Sequence, residues 1–80
     1  MPRLKVYESD IINLAEIIEA EFRVRTQASR QMINPWIAVY DITDREADDI
    51  ADEIESLGIW GVTFDFEDGD EVYFYIQRLR

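Results

Sequence analysis

Carboxylates are the residues of this chain most able to do chemistry. Residues 41–71 hold thirteen of them (Asp41, Asp44, Glu46, Asp48, Asp49, Asp52, Glu53, Glu55, Asp65, Glu67, Asp68, Asp70 and Glu71) against a single Arg45, a local net of −12. Residues 1–40 balance at five acidic and five basic, and residues 72–80 add Arg78 and Arg80, which returns the formal net charge of −10. Clustered carboxylates can serve acid–base catalysis, hold a hard cation, or meet a basic macromolecule. The rest of the sequence discriminates among these.

Catalysis is the weakest of the three. Acid–base work by paired carboxylates needs a dry, shaped cleft that separates their pKa values. The chain has no His, no Cys and no Gly-rich phosphate loop among Gly58, Gly61 and Gly69. Ser9 and Ser29 read as a helix cap and a loop residue. The sequence therefore reads as a non-enzyme with no cofactor. A hard cation wants several oxygen ligands, and Asp65, Glu67, Asp68, Asp70 and Glu71 cluster around Gly69. Calcium-loop spacing fails, however, because Gly69 at loop position six would put Phe64 at position one and Tyr75 at position twelve. An ordinary charged hairpin turn is expected, with no metal.

The stretch 44–55 is more pointed. Asp44, Glu46, Asp48, Asp49, Asp52, Glu53 and Glu55 are offset only by Arg45. Like charges at i, i+4 (Asp48/Asp52 and Asp49/Glu53) destabilise a helix by a few tenths of a kcal/mol each. Asp44, Glu46 and, less closely, Asp48 lie near the favourable positive helix end, whereas Asp52, Glu53 and Glu55 lie towards the negative end. Mimicry of nucleic acid would explain keeping them. Four helical residues rise about 6 Å, a scale similar to that of phosphates on a strand rising about 3.4 Å per nucleotide. The expected partner-binding residues are Asp44, Asp48, Asp49, Asp52, Glu53, Glu55, Asp65, Glu67, Asp68, Asp70 and Glu71, with Tyr73 and Tyr75 as aromatic anchors. Such a surface repels nucleic acid and anionic lipid and attracts basic protein.

Elements that could position these residues follow from periodicity. Leu4–Glu8 alternates and reads as a strand. Ser9 or Asp10 can cap a helix whose stripe is Ile11, Leu14, Ala15, Ile18 and Phe22. Residues 22–27 read as a short strand or as loop. Arg23, Arg25 and Arg30 form a small basic patch, for internal charge balance or for a homodimer contact. Trp36–Ile42 reads as a buried central strand. Trp36 and Trp60 read as core or core-edge residues.

Thr43-Asp44-Arg45-Glu46 is a capping box that opens a helix over 43–57. Its buried stripe is Ala47, Ile50, Ala51, Ile54 and Leu57, and Gly58 sits at the left-handed C′ position. Val62, Phe64 and Phe66, then Val72, Phe74 and Ile76, alternate with polar residues as a hairpin. An odd-length loop puts both apolar sets on one face. A type I turn over Glu67-Asp68, with Gly69 left-handed in a G1 bulge, supplies it.

The expected fold is α+β: one domain over residues 1–80, a two-layer sandwich with two helices on one face of a 4–5-stranded, mainly antiparallel sheet. The order is β-α-(β)-β-α-β-β, with a possible ferredoxin-like arrangement. Right-handed crossovers place both helices on the same side. With no cysteine, no apolar run near the roughly 18–20 residues of a membrane span and no apolar leader in residues 1–6, a cytoplasmic protein is expected. Uniform halophilic acidity is an alternative source of the charge. The eleven Ile residues and the confinement of the acids to one stretch argue against it.

In size and charge the chain is similar to small phage-encoded antirestriction and anti-CRISPR proteins. The likeness is one of composition and implies no residue roles. The expected function is an inhibitor that occupies the basic groove of a nucleic-acid-processing protein, without binding nucleic acid itself. The alternative is a small ferredoxin-like or ACT-like regulatory module that dimerises or binds a small ligand.

Overall fold

In the computed structural model, residues 6–29, 33–67 and 71–80 are described. Helix α1 spans Glu8–Phe22, strand β1 Thr26–Ala28, β2 Trp36–Tyr40, helix α2 Asp44–Ser56, β3 Trp60–Glu67 and β4 Glu71–Arg78. The four strands form one sheet in the order β1-β2-β4-β3, and every neighbouring pair is antiparallel. The two helices pack on it as an α+β sandwich.

Helix α1 begins earlier than the Ser9 or Asp10 cap requires. Tyr7 is the N-cap, and its backbone N–H donates to Asp10 Oδ2 at 3.1 Å. Val6 before the cap and Ile11 in the first turns share the buried cluster, the pairing of a hydrophobic staple. This corrects the reading of Leu4–Glu8 as a strand. Val6 and Tyr7 are not strand and Glu8 is helical, while Leu4 and Lys5 lie outside the described residues. The optional strand does form, but at Thr26–Ala28 rather than over residues 22–27: Phe22 is the last residue of α1 and residues 23–25 are not strand. Arg23 ends α1 in the left-handed region (φ 54°) and turns the chain into it.

The order α-β-β-α-β-β is the β-α-β-β-α-β of a ferredoxin-like domain with its leading strand moved to the end. Strand β4 lies between β2 and β3 and is antiparallel to both, so β2 and β3 are parallel to each other. The segment β2-α2-β3 is thus a split crossover, with α2 spanning the strand between.

Helix α2 forms where the capping box places it. Glu46 N–H donates to Thr43 Oγ1 at 3.3 Å and Thr43 N–H to Glu46 Oε1 at 3.0 Å. Gly58 (φ 82°) donates its N–H to the Glu55 carbonyl, and this left-handed turn ends the helix. Leu57 departs from the expected stripe, being 42% exposed at the C-cap, where the chain is already leaving the helix.

The core lies between the layers. Ile11, Leu14 and Ile18 of α1 and Ala47, Ile50 and Ile54 of α2 meet Ile37, Val39, Val72, Phe74 and Ile76 of the sheet. Each such fully buried large side chain stabilises the fold by about 1.5–3 kcal/mol in transfer terms. Trp60 is buried among them. Trp36 instead lies half-buried on the opposite sheet face, its ring 5.0 Å from that of Tyr73.

The hairpin has the expected parity. Phe64 is opposite Phe74 and Val62 opposite Ile76, so both apolar sets share the helix-side face. The register is shifted, however. Pairing runs as far as Glu67↔Glu71, one residue further into the turn than a bend over Glu67-Asp68 allows. Residues 68–70, and the proposed bulge at Gly69, lie outside the described residues. Phe66 has the expected facing but is 44% exposed, at the end of the sheet's edge strand.

Candidate functional site: an acidic helix layer beside an open sheet edge

The two helices concentrate the charge further than the linear sequence suggests. Helix α1 carries Glu8, Asp10, Glu16, Glu19 and Glu21 and no base. Helix α2 carries Asp44, Glu46, Asp48, Asp49, Asp52, Glu53 and Glu55 against Arg45. Twelve carboxylates less one guanidinium give this layer −11, so all other residues together are near neutral (−10 + 11 = +1). Helix α1 was the missed half of the acidic surface. The signal was present, since residues 8–22 contain no Lys or Arg.

Helical spacing sorts the α2 carboxylates into two rows. Asp44, Asp48, Asp52 and Glu55, at i, i+4, i+8 and i+11, follow one flank and are all exposed. Asp49 and Glu53 follow the other with Glu46, and Glu46 and Glu53 are half-buried. Glu55 lines a cleft of about 600 Å³ with Gly61, Val62 and Thr63, so the first row lies on the flank towards β3. Among the described residues no base pairs with any α2 carboxylate; the ion pairs are Arg25–Asp41 at 3.0 Å and Arg78–Asp10 at 3.8 Å. Arg25 and Asp41 are 79% and 67% exposed, so their pair contributes little. Arg25 also lies over the Tyr40 ring. Glu19 accepts from Thr26 N–H at 3.3 Å, which leaves Glu16 and Glu21 as the freely solvated acids of α1's second half.

The structure does not unite all the sequence-predicted contact residues. Asp65, Glu71, Tyr73 and Tyr75 sit on the sheet face opposite the helices, where Asp65 pairs with Tyr73 and Thr63 with Tyr75. Glu67 is opposite Glu71 in the register, and Asp68 and Asp70 lie outside the described residues. The outer face combines aromatic rings with carboxylates: Trp36, Tyr40, Tyr73 and Tyr75 are half-buried there, alongside Asp65 and Glu71. Helix row and aromatic face therefore meet only at the edge formed by β3. Among the described residues no group of three carboxylates is placed to hold a metal ion, and no helix is long and apolar enough to cross a membrane.

Strand β3 is a free edge with a defined phase. The Leu79 N–H donates to the Ile59 carbonyl at 2.8 Å, so odd-numbered residues of β3 bond to β4 and even-numbered ones point their backbone outward. The Ile76 N–H donates to the Pro35 carbonyl, which independently assigns the even-numbered residues of β4 to β2. The N–H and C=O groups of Trp60, Val62, Phe64 and Phe66 thus face away from the sheet. The pairing of β3 is unbroken over eight residues, with no Pro, no Lys and no bulge. At the other edge, β1 is only three residues long.

Comparison with known proteins returns no matching family model, no matching curated protein and no matching solved structure.

Proposed function

We propose that this chain is a small protein-binding inhibitor whose helix layer imitates the charge of nucleic acid and occupies the basic groove of a nucleic-acid-processing protein. The observation that carries the reading is the concentration of −11 on two adjacent helices whose α2 carboxylates have no basic partner among the described residues. A helix kept only for solubility gains nothing from carboxylates at its negative end, and such a field steers basic surfaces towards it. The row Asp44, Asp48, Asp52, Glu55 sets charges about 6 Å apart per four residues. Lys and Arg groups that normally contact phosphates can meet such a row.

The test is capture from cell lysate at low and high salt. It compares the wild type with a variant carrying Asp48→Asn, Asp49→Asn, Asp52→Asn and Glu53→Gln, with DNA and RNA as competitors. The expected result is a nucleic-acid-binding protein retained by the wild type alone, released by salt and by nucleic acid. Equal retention by both forms, or indifference to nucleic acid, overturns the reading.

A second reading, a ferredoxin-like or ACT-like ligand module, draws on the cleft between Glu55, Thr63 and Tyr75 at one end of the sheet. It predicts thermal stabilisation by a metabolite that follows mass action. A metabolite panel without such a ligand removes it.

A further inference from the structure

We propose that the free edge of β3 is the docking site for an extended, basic segment of the partner, which adds a fifth strand to the sheet. The inference rests on the basic-partner reading above and names the geometry by which that partner engages.

Natural sheets protect long edges with charged side chains (Lys above all), Pro, bulges or shortening. Strand β3, WGVTFDFE, has no Lys, Pro or bulge and runs eight residues; its charged side chains are Asp65 and Glu67, both acidic, while Trp60, Val62, Thr63, Phe64 and Phe66 favour strand. Its outward-facing backbone offers four donors and four acceptors, at Trp60, Val62, Phe64 and Phe66, with no partner among the described residues. Strand addition uses such groups for affinity and alternate side-chain positions for specificity.

The two sides of the edge state what the added strand must carry. On the helix side, half-buried Val62 and Phe64 and exposed Phe66 leave apolar surface beneath the row Asp44, Asp48, Asp52, Glu55. Lys or Arg side chains suit this arrangement, laying apolar stems on those rings and reaching carboxylates with their heads. The row runs about 16 Å along the helix, most of the roughly 26 Å length of an eight-residue strand. On the outer side stand Thr63 and Asp65. A second copy of this chain is the wrong occupant, because it would set one acidic row beside another. The carboxylates thus take the place of the usual edge protection against self-pairing while admitting a strand of opposite charge.

The probe is a synthetic octapeptide alternating Arg and Val, with an otherwise identical Glu/Val peptide as control. The readout is residue-resolved amide hydrogen exchange of the wild-type protein. With the Arg/Val peptide, the amides of Val62, Phe64 and Phe66 are expected to slow by roughly tenfold or more, equivalent to about 1.4 kcal/mol. Those of Thr63 and Asp65, already bonded to β4, stay unchanged, and the Glu/Val peptide has no effect. The variant Val62→Pro removes one outward N–H and no ladder bond, and it is expected to abolish binding.

Binding of the Arg/Val peptide without protection of the even-numbered amides overturns strand addition and leaves the charged-helix reading intact. So does full binding by the folded Val62→Pro variant. Absence of any binding also overturns the proposal, and the lysate capture then decides the basic-partner reading separately. Equal protection by the Glu/Val peptide overturns the charge selection.

Discussion

Replacing the carboxylates at the C-terminal end of α2 should stabilise the protein. The perturbation is Asp52→Asn, Glu53→Gln and Glu55→Gln, isosteric changes with little effect on helix propensity. Two like-charge pairs at i, i+4 are relieved, Asp48/Asp52 and Asp49/Glu53, at about 0.3 kcal/mol each for surface sites. Glu53 and Glu55 also lie in a last turn that contains no base, and removing each charge there relieves about 0.3 kcal/mol more. The sum is about 1.2 kcal/mol, using the lower part of each range because these side chains contact solvent. For a domain of this size that raises Tm by about 5–10 °C. The assay is thermal unfolding by circular dichroism in about 0.01 M and 1 M salt, where the screening length falls from about 30 Å to 3 Å. The gain should be largest at low salt and mostly gone at high salt. A variant that is no more stable at low salt, or whose gain ignores salt, would show that these carboxylates carry no electrostatic penalty. Their presence at the helix end would then call for no partner.

Further expectations follow from single contacts. Thr43→Ala removes the capping box of α2 and should lower stability by about 1 kcal/mol, a Tm loss of about 4–8 °C by calorimetry; an unchanged Tm would show that the box is dispensable. Ser29 is buried and its Oγ accepts from Trp36 N–H at 3.0 Å, so Ser29→Ala should cost about 1–3 kcal/mol in urea unfolding by leaving that donor unsatisfied. Phe74 is fully buried in the central strand. Phe74→Ala should cost about 3–5 kcal/mol, visible as a large drop in the urea midpoint, and a drop like that of an exposed site would contradict its place in the core. Neutralising Asp44, Asp48, Asp52 and Asp65 to Asn removes the charge that separates β3 edges of two copies. Sedimentation velocity should then show self-association, and a monomer at every concentration would assign the protection to something other than charge.

The features that could be read from the sequence are those whose causes are local. The box Thr43–Glu46, the stop at Gly58 and the shared face of the two apolar sets of the hairpin each depend on residues a few positions apart, and each is in place, whereas the hairpin register that sets Phe64 opposite Phe74 is not the one expected. Leu4–Glu8 misled because five alternating residues cannot distinguish a strand from a staple leading into a helix; Val6 is buried for the second reason. Strand order was not legible, since nothing near Glu71–Arg78 says that it will lie between β2 and β3. The free edge of β3 and its even-residue phase were therefore invisible, as was the separation of Tyr73 and Tyr75 from the acidic row. The acidity of α1 was visible as composition, but only packing sets it beside α2.

The place of β4 at the centre of the sheet has a consequence for how the chain is made. Synthesis proceeds from the N-terminus, so Trp36 is produced 39 residues before Tyr75, the residue it pairs with. At about 5–20 residues per second that interval is about 2–8 s. Throughout it, Ile37 and Val39 have neither their central neighbour nor the core that forms around it. Until β4 is made, β2 lacks the strand that pairs it to β3, and unpaired strands of neighbouring chains can find one another. Asp44, Asp48, Asp49, Asp52, Glu53 and Glu55 are added 8 to 19 residues after Trp36, so the segment that waits for β4 already carries their negative charge before β4 exists.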